Sequence, residues 1–151
     1  GGEMIYEMDE QITIRSLRPE DAQVIAREEV AQGWVNASPK KYEQRLRDQQ
    51  EGKAIALAAE YCEQVAGYIN VYLAPEQGAF AGQGIPEIVD FGVLAKYRNR
   101  GIGSRLLELA RKNPPTMLYF GAQPGAEGFY EKNGCNRGLT AYIIEKQGET
   151  P

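Results

Sequence analysis

Hydrophobic and polar positions along the 151-residue chain follow two periods, and together they predict six strands and four helices. Alternating apolar and polar residues, or short apolar runs bounded by turn residues, are typical of strands. They predict strands at 12–17, 53–60, 65–73, 87–94, 116–120 and 139–146. Apolar residues that recur every three to four positions predict helices at 18–33, 39–51, 101–113 and 125–134. The order β-α-α-β-β-β-α-β-α-β therefore predicts a mixed α/β fold around a largely antiparallel sheet.

Three features depart from this pattern. Glu29 interrupts the apolar face of the first predicted helix, which otherwise consists of Ala22, Ile25, Ala26 and Val30. Asp90 and Gly92 interrupt the apolar strand 87–94, and a glycine within a strand indicates a bulge or the close approach of a ligand. The segment 74–86 is rich in glycine and carries two prolines, so it is predicted to be a long loop of the kind that often has a function.

Composition narrows the class of protein. The formal net charge is −4, which argues against a general nucleic-acid binder. The chain has no histidine, which removes Ser-His and Cys-His mechanisms and most zinc sites. Its two cysteines indicate a reduced compartment, and no apolar run approaches the ~20 residues of a membrane span. We therefore expect a cytoplasmic protein with no metal, no nucleic-acid partner and no membrane partner.

The length predicts one domain. We expect residues 1–11 to be an N-terminal extension whose first glycines come from a tag, and residues 12–151 to form that domain.

The segment VLAKYRNRGIGSRLLELA, residues 93–110, places arginines and two glycines at a predicted helix start. Glycine lets a ligand approach the main chain, and a helix start offers unpaired N–H groups and partial positive charge, so the segment predicts a phosphate site. A dinucleotide fingerprint would need a third glycine where Leu106 stands, and a P-loop would need Gly-Lys-Ser/Thr after four spacers. What remains is Arg-x-x-Gly-x-Gly over residues 98–103.

With this motif the chain resembles the GNAT family of N-acetyltransferases, which bind acetyl-CoA. The similar segments cover most of the chain: ITIRSLRPEDAQVI (12–25), VDFGVLAKYRNRGIGSRLLELA (89–110) and QPGAEGFYEKNGC (123–135). The resemblance implies the GNAT-like acyl-CoA N-acyltransferase fold. In that fold a mostly antiparallel sheet, flanked by about four helices, has its fourth and fifth predicted strands splayed apart.

The resemblance also implies which residues contact acetyl-CoA. The backbone of the strand would pair with pantetheine, N–H groups of the glycine motif would hold the pyrophosphate, and one amide would bond the cofactor. Gly92 would let the strand bulge and splay. The implied residues are Phe91, Gly92, Val93, Arg98, Asn99, Arg100, Gly101, Ile102, Gly103, Ser104 and Gln123.

In this family an amine attacks the thioester directly, so a base must take its proton. Glu87 and Asp90 are the candidates, and Glu87 is slightly favoured because it starts the strand next to the loop. Strand alternation places them on opposite faces unless a bulge reorients one. An N–H near Val93 would stabilise the oxyanion, and Tyr130 matches the family's usual acid.

The acceptor is expected to be an amine of a small molecule or a peptide. Acidic and aromatic residues suit such a cation, and the candidates to line its site are Glu28, Glu29, Trp34, Asn36, Tyr72 and Phe80. A homodimer that exchanges the short C-terminal end is possible. Two other functions remain open: an inactive acetyl-CoA-binding sensor and a nucleotide-binding interaction module.

Overall fold

A five-stranded antiparallel sheet forms the centre of the computed structural model, which describes residues 4–34, 36–112, 117–139, 142, 144 and 145. Each strand lies beside its neighbour in sequence: β1 (Ile5–Met8), β2 (Ile12–Ser16), β3 (Ala54–Tyr61), β4 (Gln64–Tyr72) and β5 (Glu87–Val93). The helices are α1 (Asp21–Ala31), α2 (Pro39–Gln50), α3 (Ile102–Lys112) and α4 (Glu127–Lys132), with a 3-10 turn at Ala95–Tyr97. The predicted mixed α/β class, antiparallel sheet and four helices are confirmed.

Local sequence signals explain where these elements begin and end. Ser38 caps α2, its hydroxyl accepting the Lys40 N–H at 3.2 Å, and Pro39 occupies the first turn as predicted. The β3–β4 hairpin closes through Cys62 and Glu63, whose φ angles of 48° and 70° fit the two-residue turn that matches strand twist.

The strand β1 was not predicted, because residues 1–11 were expected to be an extension. Ile5 and Met8 are exposed, so β1 has no buried apolar face that the sequence pattern could reveal. It pairs with β2, and Arg105 of α3 binds Glu7 at 2.6 Å, so an ion pair ties the edge strand to the next layer.

Helices cover both faces of the sheet. One core cluster joins Ala22 and Ile25 of α1 and Tyr42 of α2 to Tyr68 of β4. On the opposite face α3 packs at Gly67, where a Cβ atom would lie 3.0 Å from Ile102 and 3.1 Å from Leu106. Gly67 therefore sets how closely α3 approaches the sheet.

The chain has two compact units, Gly1–Gly121 and Ala122–Pro151. At the end of the first, residue 116 of the strand predicted at 116–120 lies outside the described residues, and the other residues form only a parallel bridge between Tyr119 and Glu87. In the second, α4 ends at Asn133 and Gly134 as predicted. Of the predicted strand 139–146, residues 140, 141, 143 and 146 lie outside the described residues, and the others are not in a strand.

Candidate active site

The strand β5 contains a bulge that decides where its two carboxylates point. Asn70 pairs with Asp90 and Val71 pairs with Ile88, so Val89 is an extra residue on β5. Glu87 lies opposite Tyr72, which is on the same face of β4 as Asn70. Glu87 and Asp90 therefore share one face of the sheet, which the sequence alone allowed only if a bulge was present.

The bulge is not at Gly92, where the sequence suggested it. Gly92 pairs regularly with Tyr68, and a Cβ atom on Gly92 would lie 2.6 Å from the Tyr68 hydroxyl oxygen. Glycine at this position therefore gives room to the ring of Tyr68.

The outer edge of β5 presents main-chain hydrogen-bonding groups. Leu94 donates its N–H to the carbonyl of Ala66 in β4, at 2.8 Å. Because such groups alternate along an antiparallel strand, those of Gly92 point to β4, and those of Phe91 and Val93 point away from it. On this outer side Ile88 donates to the Tyr119 carbonyl at 2.9 Å, and within the described residues β5 and the 117–120 segment pair only around Glu87.

The chain then enters α3 through a turn with two left-handed residues. Asn99 has φ 64° and Gly101 has φ 79°, a conformation that asparagine and glycine tolerate best. Arg105 makes the first helical bond, donating to the Gly101 carbonyl at 3.2 Å. The N–H groups of Ile102, Gly103 and Ser104 precede that bond, and such a helix start favours an anion.

The arginines at this turn have different neighbours. Arg100 is exposed, donates to the Tyr61 hydroxyl at 3.1 Å and lies 4.6 Å above that ring. The exposed Arg98 donates to the Val93 carbonyl at 3.4 Å. Arg105, which the sequence grouped with them, binds Glu7 and Asp9. The positive charge facing the turn therefore comes from Arg98 and Arg100 rather than Arg105.

Glu87 is half-buried at the start of β5, and this burial raises the pKa of its carboxyl. A Cβ atom on Gly78 would lie 3.0 Å from Glu87 Oε1, so the 74–86 loop crosses close to the carboxylate. A carboxyl whose pKa is raised by burial is a candidate general base.

Asp90, in contrast, forms hydrogen bonds and ion pairs with three side chains. Its Oδ2 accepts from Arg45 Nε at 2.6 Å and from Asn70 Nδ2 at 2.8 Å, and Lys41 Nζ lies 3.5 Å from Oδ1. Arg45 also donates to the Tyr72 hydroxyl at 3.2 Å, and Tyr72 donates to Asp48. The sequence did not reveal this network.

Glu29, the exception on the apolar face of α1, is buried and hydrogen-bonded. Its Oε2 accepts from the hydroxyls of Tyr42 at 2.6 Å and Tyr68 at 3.0 Å, and Lys41 Nζ donates to Oε1 at 3.0 Å. Burial first, and then nearby carboxylates, raise the pKa values of both tyrosines, so the phenols stay protonated and act as donors. A glutamate in an apolar stripe was the one sequence signal for this cluster.

The structure sorts the predicted acceptor-lining residues into three groups. Glu28 accepts the Ala95 N–H at 2.7 Å, and Glu29 is bound as above, so both carboxylates are engaged within the protein. Trp34 and Asn36 are exposed on the α1–α2 connection. Tyr72 lies opposite Glu87, and the ring centroid of Phe80 lies 4.9 Å from that of Tyr119. Tyr72 and Phe80 therefore belong near the candidate base.

The second unit contains the remaining predicted residues. Tyr130 is half-buried on α4, and burial is the main cause that raises the pKa of its phenol, which therefore stays neutral at physiological pH. Gln123 is exposed before α4, and its carbonyl accepts the Ala126 N–H at 2.9 Å. Cys135 lies after the helix and donates its N–H to the Tyr130 carbonyl at 2.9 Å.

The described part of the chain lacks two features. It contains no group of three or more His, Cys, Asp or Glu side chains placed to hold a metal ion. None of its helices is both long enough and apolar enough to cross a bilayer.

An antiparallel sheet, a bulged strand and a glycine turn into a helix together give a mixed α/β fold with a helix start suited to an anion. Residues 17–135 match the family model described as "Acetyltransferase (GNAT) family". This match covers more than half of the chain, and the chain belongs to the GNAT acetyltransferase family. No curated protein matches the chain.

Solved structures of acetyltransferases share the fold. One is a ribosomal-protein-alanine N-acetyltransferase from Brucella melitensis biovar Abortus 2308, with 20% identity over 90% of this chain and 99% of that chain, and a TM-score of 0.62. The PaiA N-acetyltransferase from Thermoplasma acidophilum, in complex with coenzyme A, has 21% identity over 83% and 89%, and a TM-score of 0.62. An aminoglycoside acetyltransferase from an uncultured soil metagenomic sample, in complex with sisomicin, has 16% identity over 93% and 100%, and a TM-score of 0.64.

Proposed function

We propose that this chain is an acetyl-CoA-dependent N-acetyltransferase that acetylates a primary amine by direct attack in a ternary complex. The observation that carries the proposal is the strand-turn-helix unit over residues 91–104. There the outer edge of β5 leads directly into a glycine turn and a helix start, all built from main-chain groups. Such a unit suits a long ligand with amides at one end and phosphates at the other.

Main-chain groups of this unit would hold acetyl-CoA. The outward groups of Phe91 and Val93 would pair with its amides and its carbonyl oxygen. The N–H groups of Gly101, Ile102, Gly103 and Ser104 would bind the pyrophosphate, with Asn99 shaping the turn and Arg98 and Arg100 adding charge. Gly92 would leave room for the cofactor because it has no side chain, and Gln123 would hydrogen-bond the cofactor through its amide.

When bound, acetyl-CoA supplies a thioester that an uncharged amine can attack. A free alkylammonium has a pKa of roughly 10, so the amine must first lose a proton. Glu87 would accept it, directly or through a water molecule, because its carboxylate is half-buried and lies beside the loop. The new C–N bond forms as the C–S bond breaks.

Asp90, the other candidate base, would act as a structural anchor. Its oxygens already accept from Arg45 and Asn70, and Lys41 faces it, so taking up a proton would disrupt buried ion pairs. We therefore assign the base to Glu87.

Tyr130 would return a proton to the leaving thiolate of CoA. Its neutral phenol is a donor at physiological pH, and its place in the FYEK segment matches the family's acid. The ammonium nitrogen loses two protons as it becomes an amide. Glu87 would pass the first to solvent, and the second would replace the proton that Tyr130 gives to the thiolate, so the transfer balances.

The acceptor would be a small-molecule or peptide amine, as the names of the similar structures suggest for those proteins. Cytoplasmic location and a possible homodimer are parts of the same proposal.

Calorimetry with acetyl-CoA, with CoA and ATP as controls, tests the proposal first. We expect micromolar binding of acetyl-CoA and CoA and none of ATP, followed by amine-dependent release of free CoA thiol. A preference for ATP would refute the proposal. Tight acetyl-CoA binding without turnover of any amine would favour the sensor instead.

A further inference from the structure

Glu87 lies in the middle of a row of side chains that crosses three chain segments. Tyr72 of β4 is its partner on one side, and Tyr119 is its partner in the parallel bridge on the other. Directly opposed residues project their side chains to the same face of a sheet. The carboxylate of Glu87 therefore lies between two tyrosines, and all three residues are half-buried at an open surface.

The 74–86 loop covers one side of this row. Gly78 has φ 105°, and its α-carbon is so close that a Cβ atom would lie 3.0 Å from Glu87 Oε1. Two residues later, Phe80 packs edge-to-face against Tyr119, with ring centroids 4.9 Å apart and an interplanar angle of 80°. The loop thus adds a third ring near the carboxylate and keeps bulk away from its oxygen.

The polar groups behind the row are engaged with one another. The Tyr72 hydroxyl donates to Asp48 and accepts from Arg45, whose guanidinium lies 5.1 Å from the Tyr72 ring centre. Arg45 and Asn70 both donate to Asp90. Apart from the buried Oδ1 atom of Asn70, which has no hydrogen-bond partner among the described residues, these groups have little capacity left for the many hydroxyls of a sugar, because breaking a buried network leaves its members unpaired.

We propose that the amine acceptor binds against this row, at Tyr72, Glu87, Tyr119 and Phe80, and that it is a single amine on an alkyl or arylalkyl carrier rather than an amino sugar. This inference rests on the proposed acetyltransferase function. The carboxylate receives the ammonium group, the tyrosine rings flank it, and Phe80 contacts the apolar carrier.

A panel of acceptors tests the substrate class with the full-length chain. With acetyl-CoA saturating, release of CoA thiol is measured for 2-phenylethylamine, n-hexylamine, glucosamine and sisomicin. We expect kcat/KM for the two apolar amines to exceed that for the two amino sugars by about a hundredfold, since a mismatched polar group at a buried site costs that much. Equal rates, a preference for the amino sugars, or no turnover of either apolar amine would overturn the inference.

Variants of the loop test the location. Phe80→Ala should raise KM for 2-phenylethylamine about tenfold and leave the acetyl-CoA Kd unchanged. Phe80→Leu should recover part of the loss. Gln83→Ala is the matched control, because Gln83 is exposed on the same loop. An unchanged KM in Phe80→Ala would overturn the inference, and the acetyl-CoA Kd of the unaltered chain would still report separately on the proposed function.

Discussion

The two ends of β5 differ in the groups that form the candidate site: main-chain groups at one end and side chains at the other. Beyond the bulge, toward α3, the candidate cofactor site consists of main-chain groups from one continuous segment of about fourteen residues, in which glycine keeps side chains away. Before the bulge, the candidate acceptor site consists of side chains that α2, β4, the 74–86 loop and Tyr119 bring together.

This difference suggests a division of roles. A cofactor that is the same throughout a family can be held by backbone, whose geometry depends little on side chains. An acceptor that differs between members needs side chains that can change without disturbing that backbone. The predictions below separate the two ends, in order of decreasing expected effect.

Glu87→Gln should impair only the acceptor end. We expect kcat to fall about a thousandfold, because glutamine cannot take the amine proton, while the acetyl-CoA Kd stays the same.

In the unaltered chain the base must be ionised. Activity should therefore fall as the solution is acidified. Because the pKa of Glu87 is raised, this fall should occur at a higher pH than it would with a carboxyl of ordinary pKa. Rates from pH 4 to 9 check this. Full activity in the variant, or the same acid limb in both proteins, would exclude Glu87 as the base.

Gly103→Glu should impair only the cofactor end. Its side chain would bring bulk and negative charge to the helix start, and we expect the acetyl-CoA affinity to fall about a hundredfold, about 2.7 kcal/mol. Calorimetry measures the affinity, and circular dichroism checks that the fold is kept. Glu108→Ala, on the exposed side of α3, is the control and should bind normally. Unchanged affinity in a folded Gly103→Glu variant would refute the proposed pyrophosphate site.

The same division explains how much the sequence could predict. Gly101, Gly103 and Asn99 are close together in sequence, and each has a backbone reason that its residue type reveals. Asp90 and its partner Arg45 are 45 residues apart, and Tyr68 and Glu29 are 39 apart, so only the folded sheet brings them together. The sequence therefore showed the candidate cofactor residues as one nearly continuous segment, and the candidate acceptor residues only as a scattered list.

The hydrophobic periodicity of the sequence likewise predicted only part of the fold. It predicted β2 to β5 and α1 to α3, each of which buries apolar residues, and also the short α4, in which no residue is buried. It missed β1, whose apolar residues are exposed, and it predicted Val30 on the buried face of α1, where the structure exposes 64% of it. The bulge at Val89 also has no sequence signal of its own, because valine fits a regular strand equally well.

Arg45→Ala tests whether the network behind Glu87 is a scaffold. Removing the guanidinium leaves the buried Asp90 carboxylate without its closest cation, and we expect the free energy of unfolding to fall by about 2 kcal/mol, less than for a fully buried pair. Urea unfolding measures this loss. The double variant Arg45→Ala with Asp90→Asn should recover part of it, because the unpaired charge is then gone. An additive loss in the double variant would mean that the two side chains do not interact.

Tyr130→Phe tests whether the second unit takes part in the chemistry. The variant keeps the ring and removes only the hydroxyl, so we expect kcat to fall about tenfold while the acetyl-CoA Kd changes less than twofold. Phe129→Leu, next to it on α4, is a control for general disturbance of the helix and should keep most of the activity. The loss should depend on the leaving group. A more acidic thiol departs as the thiolate without a proton. With a thioester of such a thiol, the difference in kcat between the unaltered chain and Tyr130→Phe should therefore be smaller. Equal losses for both thioesters would assign Tyr130 to packing, and the proton for CoA would then have to come from water.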